Sequence, residues 1–374
     1  MRIGINTRFL LPTKMEGFGW YTYEICRRIT EQHPEHEFYF FFDRPFEKKF
    51  VFGANVIPVV ISPPARHPFL FIYWFEIGIR SALKKYKIDL FFSPDGYLSL
   101  GSKVPQVGVI HDINFEHFPK DLPFSARAYL RYFFPKFAAK ASHIITVSNY
   151  SKEDISRTYD IDSEKITAIW NGVSNVFRPL AEKEKEKVRE KYTLGNPYFL
   201  FVGAIHPRKN VKRLIEAFSL FKQLNDSPIR LLIVGESLWK NFTEEFELSD
   251  EIEDSIRFTG HLSPNELSRV MASADLFTYV SYFEGFGIPL VEAMKCGTPI
   301  LSGNRTSLPE VAGDAAMYCD PFDVSDIAEK MKRITSDVQI KASLSTKGLE
   351  RSLEFSWDKA AQEVWKVLMK SYDK

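Results

Sequence analysis

Short apolar runs alternate along the chain with longer stretches of helical periodicity. Each run is followed by a loop and usually by a helical segment, an order typical of βαβ units that form a parallel sheet. In the first half of the chain the predicted strands are Ile3–Asn6, Phe38–Phe42, Asn55–Ile61, Asp89–Ser93, Gln106–Ile110 and His143–Val147.

A second alternating set follows the charge run Glu182–Lys187, which reads as a solvated helix face and marks a boundary near 175–190. We therefore predict an α/β protein with two Rossmann-like domains, residues 1–175 and 190–355. Ligands of such sheets lie beyond the carboxyl ends of the strands, so we expect a site in a cleft between the halves. The predicted strands of the second half are Tyr198–Val202, Arg230–Val234, Ile256–Thr259, Leu276–Val280, Pro299–Leu301 and Ala315–Tyr318.

Composition narrows the class of protein. The 374 residues suffice for two domains, and 49 Lys and Arg nearly cancel 48 Asp and Glu, so bulk charge does not indicate a nucleic-acid partner. Three scattered cysteines show no disulfide or zinc spacing and indicate a reducing compartment. The N-terminus reads as a strand rather than a signal peptide, and no apolar run would span a bilayer. We expect a cytoplasmic protein, with peripheral contact to the inner face of the cell membrane as an option.

The segment Glu284–Glu292 carries the most chemical information. Seven residues separate its two carboxylates, and among them Gly285, Gly287 and Pro289 open an apolar, helix-like run. The free N–H groups and dipole of a helix N-terminus between two acids could hold a phosphate with polyhydroxylated groups on either side. A nucleotide sugar has that shape. The alternative is a surface loop acid followed by an acid that merely favours the helix dipole.

Two adjacent cations, Arg208 and Lys209, follow the predicted strand Tyr198–Val202 and precede a helical run that starts at Val211. They could neutralise a diphosphate that gains charge as a bond breaks. The alternative is an ordinary basic pair near a helix start, where the dipole disfavours cations.

Several further positions give weaker signals at the carboxyl ends of strands. Gly17 and Gly19 would let the backbone approach a phosphate closely. Gly235 lies in the turn after a predicted strand, and the segment that ends in Leu262 could contact a nucleobase. Each of these positions could equally have a purely structural role. His111 could hydrogen-bond a sugar hydroxyl or move a proton, or be a structural histidine with Asp112 as a turn cap.

Basic and aromatic residues mix in two stretches, Arg66–Lys87 and Lys120–Lys140. Such stretches could meet anionic lipid or a glycolipid acceptor. Packing of the aromatic residues into the core is the stronger interpretation.

Taken in order, these motifs resemble the family-4 glycosyltransferases, retaining enzymes of the GT-B fold, over nearly the whole chain. The resemblance implies two Rossmann-like domains facing across a cleft, the first binding the acceptor and the second the nucleotide sugar. It also implies that a last helix, about 356–374, returns to the first domain. The motifs are Glu16–Gly19, His111-Asp112, Thr146–Ser151, Asn171–Val173, Pro207–Asn210, Glu284–Glu292, Ser307–Val311 and Phe355–Trp357.

Site roles follow from the resemblance. Glu284 would contact hydroxyls of the donor sugar, Glu292 the ribose, and Arg208 and Lys209, across the cleft, the diphosphate. Ala204 occupies the position where many members of the family have an arginine, which puts one contact with the phosphate in doubt. The implied catalytic residues are Glu284, His111, Lys209 and Arg208, and the implied donor-binding residues are Gly17, Gly19, Gly203, Arg208, Lys209, Gly235, Leu262, Phe286, Gly287, Ile288 and Glu292.

The implied reaction is transfer of a sugar from a nucleoside-diphosphate sugar, with retention and front-side attack, to a glycan or lipid-linked acceptor in polysaccharide synthesis. The Pro207–Asn210 motif favours GDP-mannose as donor, with UDP-glucose still open. No metal or other cofactor is expected, because cations and a helix N-terminus would hold the phosphate charge. The alternatives are a nucleotide-sugar epimerase of the same architecture and a non-catalytic scaffold, although a scaffold would be expected to lose the charged residues.

Overall fold

The computed structural model describes residues 1–11, 15, 17–65, 67–225, 227–236 and 250–373. It divides into two compact units, Met1–Gly172 with Ser356–Lys374, and Val173–Phe355. The motif member Glu16, the start of the first basic stretch at Arg66, and the terminal Lys374 lie outside the described residues.

Within the described residues each unit contains one sheet, and every strand pair in both sheets is parallel. The α/β prediction is therefore confirmed. The strands are β1 Arg2–Asn6, β2 Glu37–Phe42, β3 Val56–Val60, β4 Leu90–Ser93, β5 Gln106–Val109, β6 His143–Thr146 and β7 Ile166–Ala168 in the first unit, and β8 Tyr198–Val202, β9 Arg230–Val234, β10 Ile256–Gly260, β11 Leu276–Tyr279, β12 Ile300–Gly303 and β13 Ala316–Cys319 in the second.

Helices connect the strands. The chain also forms a π-helical segment at Trp74–Ile79 between α2 and α3, and a 3₁₀ turn at Pro207–Lys209. The helices are α1 Gly17–Gln32, α2 Pro68–Tyr73, α3 Arg80–Lys85, α4 Asn114–His117, α5 Phe124–Lys140, α6 Asn149–Tyr159, α7 Glu182–Thr193, α8 Val211–Leu224, α9 Asp250–Asp254, α10 Pro264–Ser273, α11 Ile288–Cys296, α12 Leu308–Ala312, α13 Val324–Ser336, α14 Val338–Ser352 and α15 Trp357–Tyr372. The charge run that begins at Glu182 forms the first turns of α7.

Strands such as β8 are apolar and buried along their whole length because helices cover both faces of the sheet. All five residues of β8 are buried, and so are five of the six residues of β2. This burial accommodates many of the 33 phenylalanines of the chain. It also explains why these strands are continuous apolar runs rather than alternating ones.

Each sheet has one point at which the order of strands reverses. The first sheet runs β3-β2-β1-β4-β5-β6-β7 and the second runs β10-β9-β8-β11-β12-β13. The reversals lie between β1 and β4 and between β8 and β11. We call the space beyond the carboxyl ends of each of these strand pairs the switch point of that unit, because the connections diverge there and leave a crevice.

The last helix completes the first unit. α15 packs on α1, where Arg28 Nε lies 2.5 Å from Asp358 Oδ1 and the rings of Tyr21 and Trp357 are 6.1 Å apart. Gly172, at the end of the first segment of this unit, passes so close to Trp357 that a Cβ atom would lie 2.1 Å from the Trp357 backbone nitrogen. The two places where the chain leaves and re-enters the first unit therefore lie side by side.

A search of the described residues for helices able to cross a membrane found none with the required length and apolar character.

Candidate functional site

A buried acid at the switch point of the second unit contacts two cations. Glu284 follows β11 and is only 5% exposed. One of its carboxylate oxygens accepts from Arg208 Nη1 at 2.7 Å and the other from Lys209 Nζ at 2.6 Å. The sequence interpretation placed these cations across a cleft from Glu284, whereas the structure puts all three side chains in direct contact within one unit.

The two cations are held in place by the turn that carries them. The 3₁₀ turn follows β8 and ends at Asn210, whose φ of +59° lies in the left-handed region that asparagine tolerates. The Asn210 amide donates to the backbone carbonyls of Val280 and Pro321 at 3.0 and 2.5 Å. These bonds tie the turn to the loops beyond β11 and β13, so the basic pair has a fixed position.

Tyr279, the last residue of β11, completes the cluster. Its hydroxyl oxygen lies 2.5 Å from Lys209 Nζ. Burial, and then the negative charge of Glu284, raise the pKa of Tyr279 well above its usual value. The phenol therefore stays protonated and accepts a hydrogen bond from the lysine.

The charge state of Glu284 follows from its neighbours. Burial by itself would raise the pKa of this carboxyl, but the charges of Arg208 and Lys209 outweigh burial and lower the pKa to about 2. Glu284 is ionised throughout the neutral range. It can accept hydrogen bonds and balance charge, but it has no proton to give.

The backbone of Glu284 is fixed by the loop between β12 and α12. The Glu284 N–H donates to Thr306 Oγ1 at 3.1 Å, and the Ser307 hydroxyl donates to the Glu284 carbonyl at 2.9 Å. Thr306 has a φ of +56°, which is rare for a β-branched residue. Sequence analysis gave neither residue a role, although the Ser307–Val311 motif pointed to this loop.

The N-terminus of α11 lies three residues beyond Glu284, as the glycines and proline indicated. Gly287 caps the helix with a φ of +93°, and a Cβ atom there would lie 3.0 Å from Leu308 Cδ2. Phe286 is buried with its ring 5.8 Å from that of Phe355, so only its backbone could reach a ligand. Pro289 has no N–H and the Leu290 N–H donates to the Gly287 carbonyl at 2.9 Å, so the Ile288 N–H and the helix dipole are what favour an anion at this end of α11.

Glu292 lies on α11, and its pKa is shifted in the opposite direction to that of Glu284. Burial raises the pKa of Glu292 to about 8. Within the part of the chain that the structure describes, its carboxyl group makes no ion pair or hydrogen bond. A partly buried carboxyl without a partner is costly to ionise and gains free energy from any hydroxyl donors brought to it.

The glycines beyond β8 and β9 have a structural explanation. A Cβ atom on Gly235 would lie 2.0 Å from the carbonyl oxygen of Gly203, so the two strand ends approach too closely for any side chain. The predicted donor residues Gly203 and Gly235 are thus required by the sheet itself. Leu262 follows β10 and is half-buried.

The remaining predicted residues belong to the first unit. His111 Nε2 lies 2.8 Å from the Pro94 carbonyl oxygen, which can only accept, so Nε2 carries the proton and Nδ1 is left as an acceptor. Burial lowers the pKa of His111, and its ring packs edge-on against Phe18 and Tyr21. Asp112 accepts from the backbone and side chain of Asn114, which is the turn-capping arrangement.

The two glycines near the start of α1 differ. A Cβ atom on Gly19 would lie 2.7 Å from the Phe9 carbonyl oxygen, which is sufficient reason for a glycine there. A Cβ atom on Gly17 would meet no atom within 4 Å. Packing therefore explains Gly19 and leaves Gly17 available for another role.

Comparisons with known proteins agree with this architecture. The family model for group 1 glycosyl transferases matches residues 182–351, and the model for glycosyltransferase family 4 matches residues 15–175. The O-antigen chain mannosyltransferase B of Escherichia coli is 30% identical over 279 residues, which is 74% of this chain and 73% of that protein. The chain belongs to the group 1 glycosyltransferases.

Solved structures confirm the GT-B fold of this glycosyltransferase. Sucrose-phosphate synthase from Thermosynechococcus elongatus superposes with a TM-score of 0.81 at 16% identity, covering 100% of this chain and 99% of that one. Anabaena HepE in complex with UDP-glucose superposes with a TM-score of 0.77 at 19% identity, covering 99% and 100% of the two chains. At these identities the likeness establishes the fold alone.

The predicted site residues of this glycosyltransferase lie in two groups, one in each unit. Arg208, Lys209 and Glu284 are in contact, with the start of α11 and Glu292 following along the same segment. His111, Gly17 and Gly19 belong to the other unit. Among the described residues, no group of three or more His, Cys, Asp or Glu side chains is arranged to hold a metal ion.

Proposed function

We propose that this glycosyltransferase moves a sugar from a nucleoside-diphosphate sugar, with retention at the anomeric carbon, to a glycan or lipid-linked acceptor in polysaccharide synthesis. The observation that carries the proposal is the contact of Glu284 with Arg208 and Lys209 at a switch point, a few residues before a helix N-terminus. The similarity to a mannosyltransferase that acts on the O-antigen chain supports the polysaccharide assignment.

In this proposal the cationic pair and the α11 N-terminus bind the donor diphosphate. As the bond from the anomeric carbon to the phosphate oxygen breaks, the oxygen keeps the electron pair and the diphosphate gains negative charge. Arg208, Lys209 and the N-terminal end of the α11 dipole stabilise that charge, which is the kind of preorganised electrostatic effect that lowers reaction barriers most. The acceptor hydroxyl attacks on the same face and passes its proton to the departing phosphate oxygen. No metal or cofactor takes part.

The pairing of Glu284 supports this front-side route over a covalent one. A carboxylate shared by two cations at 2.6–2.7 Å is a poor nucleophile, because attack would remove its charge from both partners. Its low pKa also rules out service as a general acid. Glu284 instead fixes the basic pair and accepts hydrogen bonds from hydroxyls of the donor sugar.

Glu292 and His111 take binding roles in the proposal. Ribose hydroxyls supply the hydrogen-bond donors that the Glu292 carboxyl lacks in the protein. Neutral His111, with Nε2 committed to the Pro94 carbonyl, accepts through Nδ1 from a hydroxyl of the donor sugar. Gly17, Gly19, Gly203, Gly235 and Leu262 remain proposed neighbours of the phosphate and the nucleotide.

We favour GDP-mannose as the donor because the Pro207–Asn210 motif and a mannosyltransferase relative agree on mannose. UDP-glucose is the second candidate, since HepE was solved with it, although that likeness extends only to the fold. We place the enzyme in the cytoplasm. All three cysteines are buried and unpaired, which suits a reducing compartment.

Thermal unfolding with GDP, UDP, GDP-mannose and UDP-glucose, followed by measurement of nucleoside diphosphate release, tests the proposal. We expect GDP and GDP-mannose to raise the melting temperature by mass action and GDP-mannose to be consumed. Lys209→Ala should abolish both effects. A matched control is Lys212→Ala, which removes a lysine from the exposed side of α8 and should change neither. The absence of binding by every nucleotide, or full activity in folded Lys209→Ala, would refute the assignment.

A further inference from the structure

The helical segment from α2 to α3 leaves an apolar stripe exposed. Phe71, Trp74 and Phe75 pack inward, whereas Phe69 is 76% exposed. The exposed positions follow one another at steps of three or four residues, several of them as adjacent pairs, so they form one face of the segment. Along that face apolar side chains give way to cations, in the order Phe69, Ile72, Tyr73, Ile77, Arg80, Lys84 and Lys85.

α5 shows a matching division. Tyr129, Phe134 and Phe137 are buried, which confirms the core-packing interpretation for half of this aromatic helix. Phe124, in contrast, is 74% exposed. The other exposed positions of α5 are small, aromatic or basic, and none is acidic: Ser125, Ala128, Arg131, Tyr132, Lys136 and Ala139.

The two exposed stripes belong to helices that cover the same face of the first sheet, and both stripes point away from that sheet. The connections β3 to β4 and β5 to β6 step in the same direction across the sheet, and right-handed crossovers that step in the same direction cover the same face. The contact of Phe71 with Tyr129, at 5.5 Å between ring centroids, shows that the segments pack as neighbours. Their outward sides therefore form one surface.

We call this surface the aromatic–basic face. Of sixteen exposed large hydrophobic side chains among the described residues, six lie on it, so the exposure is clustered rather than scattered. Its members are Phe69, Ile72, Tyr73, Ile77, Arg80, Lys84, Lys85, Phe124, Arg131, Tyr132 and Lys136.

Charge is concentrated on the same two segments. Residues 68–85 and 124–140 contain seven Lys and Arg but only one acid, while the whole chain has a net charge of +1. That acid, Glu76, is turned to the backbone and accepts from the N–H groups of Leu100 and Gly101 at 2.6 and 2.9 Å. Glu116, from a neighbouring element, pairs with Arg131 at 2.9 Å, and the other cations of the face keep their charge available.

We propose that the aromatic–basic face docks on the surface of an anionic lipid bilayer. Exposed phenylalanine, tyrosine and isoleucine side chains beside lysine and arginine fit the boundary between acyl chains and negatively charged headgroups. Lys136 illustrates the arrangement, since its ammonium group lies 3.3 Å from the centroid of the exposed Tyr132 ring. A lipid-linked acceptor would then be met at the membrane surface, but docking itself requires neither donor nor acceptor.

Sedimentation with vesicles tests the docking surface directly. The protein should bind vesicles of phosphatidylcholine mixed with phosphatidylglycerol, release in high salt, and bind phosphatidylcholine alone weakly. Neutralising Arg80, Lys84 and Lys85 to Gln together should weaken binding about tenfold or more, because each cation near an anionic surface contributes about 1 kcal/mol. Phe69→Ser with Phe124→Ser should also weaken binding about tenfold or more, through lost apolar insertion.

Matched variants in the second unit serve as controls. Val338→Ser with Leu353→Ser removes two equally exposed apolar side chains, and Lys183, Lys185 and Lys187 to Gln removes three cations from α7. Both should bind anionic vesicles as the unaltered protein does. Equal binding to neutral vesicles, or equal loss in the control variants, would overturn the proposal.

Self-association is the competing use of the face. Analytical ultracentrifugation should show the same oligomeric state for the unaltered protein and for Phe69→Ser with Phe124→Ser. A dimer abolished by that pair would assign the face to a second copy of the chain instead. GDP-dependent stabilisation should persist in all these variants, so a failure of docking is distinguishable from a failure of the proposed sugar transfer.

Discussion

The two switch points of this glycosyltransferase carry similar charges in different surroundings. In the first unit Arg8, just beyond β1, pairs with Asp95, just beyond β4, at 2.6 Å. In the second unit Arg208 and Lys209, beyond β8, pair with Glu284, beyond β11. Both side chains of the first pair are less than 5% exposed, whereas that of Arg208 is 24% exposed.

The first switch point is closed by the protein itself. One Asp95 oxygen accepts from Arg8 and the other from Asn6 and Ser93 at 2.8 and 3.0 Å. Aromatic rings surround the Arg8 guanidinium, and that of Tyr97 is 4.2 Å away. The same topological position is therefore filled in one unit and accessible in the other. A switch point is a place where a ligand can bind only when the chain does not fill it.

Removing the closed pair should have the largest effect on stability. Asp95→Asn leaves the Arg8 cation buried without its counter-charge, and loss of one partner of a buried pair costs about 3–5 kcal/mol. Urea unfolding should show this loss. Arg8→Met with Asp95→Leu removes both charges and should recover most of it. An unchanged midpoint in folded Asp95→Asn would show that the closed pair is not what holds this crevice together.

Breaking the accessible cluster should mainly affect the reaction. Glu284→Gln should lower kcat about 100-fold or more, the loss typical when a preorganised electrostatic group is removed. Its stability cost should be smaller than that of Asp95→Asn, because solvent reaches Arg208. Arg208→Met and Lys209→Met together with Glu284→Leu remove all three charges and should restore stability without restoring sugar transfer. Recovery of activity in that triple variant would make this cluster structural, like the first.

The same cluster has a defined pH dependence. The folded-state pKa of Glu284, about 2, lies below its ordinary value, so its stabilising contribution is present above the ordinary carboxyl pKa. That contribution should be lost as the pH falls from there towards 2. Glu284→Gln should lack this acid-induced loss, as unfolding at a series of pH values will show.

Glu292 should respond to pH in the opposite sense. Its folded-state pKa, about 8, is raised, so the unfolded chain ionises first and stability falls as the pH rises from the ordinary carboxyl value to 8. Glu292→Gln should remove this fall and be more stable than the unaltered protein at pH 8, by up to about 4 kcal/mol.

The same substitution should weaken nucleotide binding. Glu292→Gln should bind GDP about tenfold less tightly, because hydrogen bonds to a charged group are worth about 1.5–3 kcal/mol. Isothermal titration at pH 8 measures the difference. A variant that gains stability yet binds GDP as before would separate the raised pKa from the proposed ribose contact.

The sequence was sufficient to locate most of the strands but not to predict the contacts of the cluster. Strands such as Tyr198–Val202 are uniformly apolar because both faces are covered, so their positions could be read directly, whereas β7, with three residues of which only Ile166 is fully buried, gave no such signal. The start of the helix after Gly287 could likewise be predicted, from the glycine and the proline that flank it.

Contacts across the switch point could not be read in this way. Glu284 and Lys209 are 75 residues apart, and their contact depends on β8 and β11 being neighbours, which no local pattern specifies. A left-handed φ at Thr306 is likewise invisible in sequence, because threonine disfavours it. The residues of the cluster could be named from the sequence as candidates, but the partners that set their charge states required the fold.

Thr306 offers the finest test of how the accessible cluster is maintained. Thr306→Val keeps the shape but removes the oxygen that accepts from the Glu284 N–H, which should cost about 1 kcal/mol and lower kcat up to about tenfold. Thr306→Ser keeps the hydroxyl and should retain most activity. If Glu284 is displaced in the valine variant, the acid-induced loss of stability should also be smaller and end at a higher pH, since Arg208 and Lys209 would lower its pKa less. Equal kcat and equal acid profiles in the serine and valine variants would show that Ser307 and the cations hold Glu284 without Thr306.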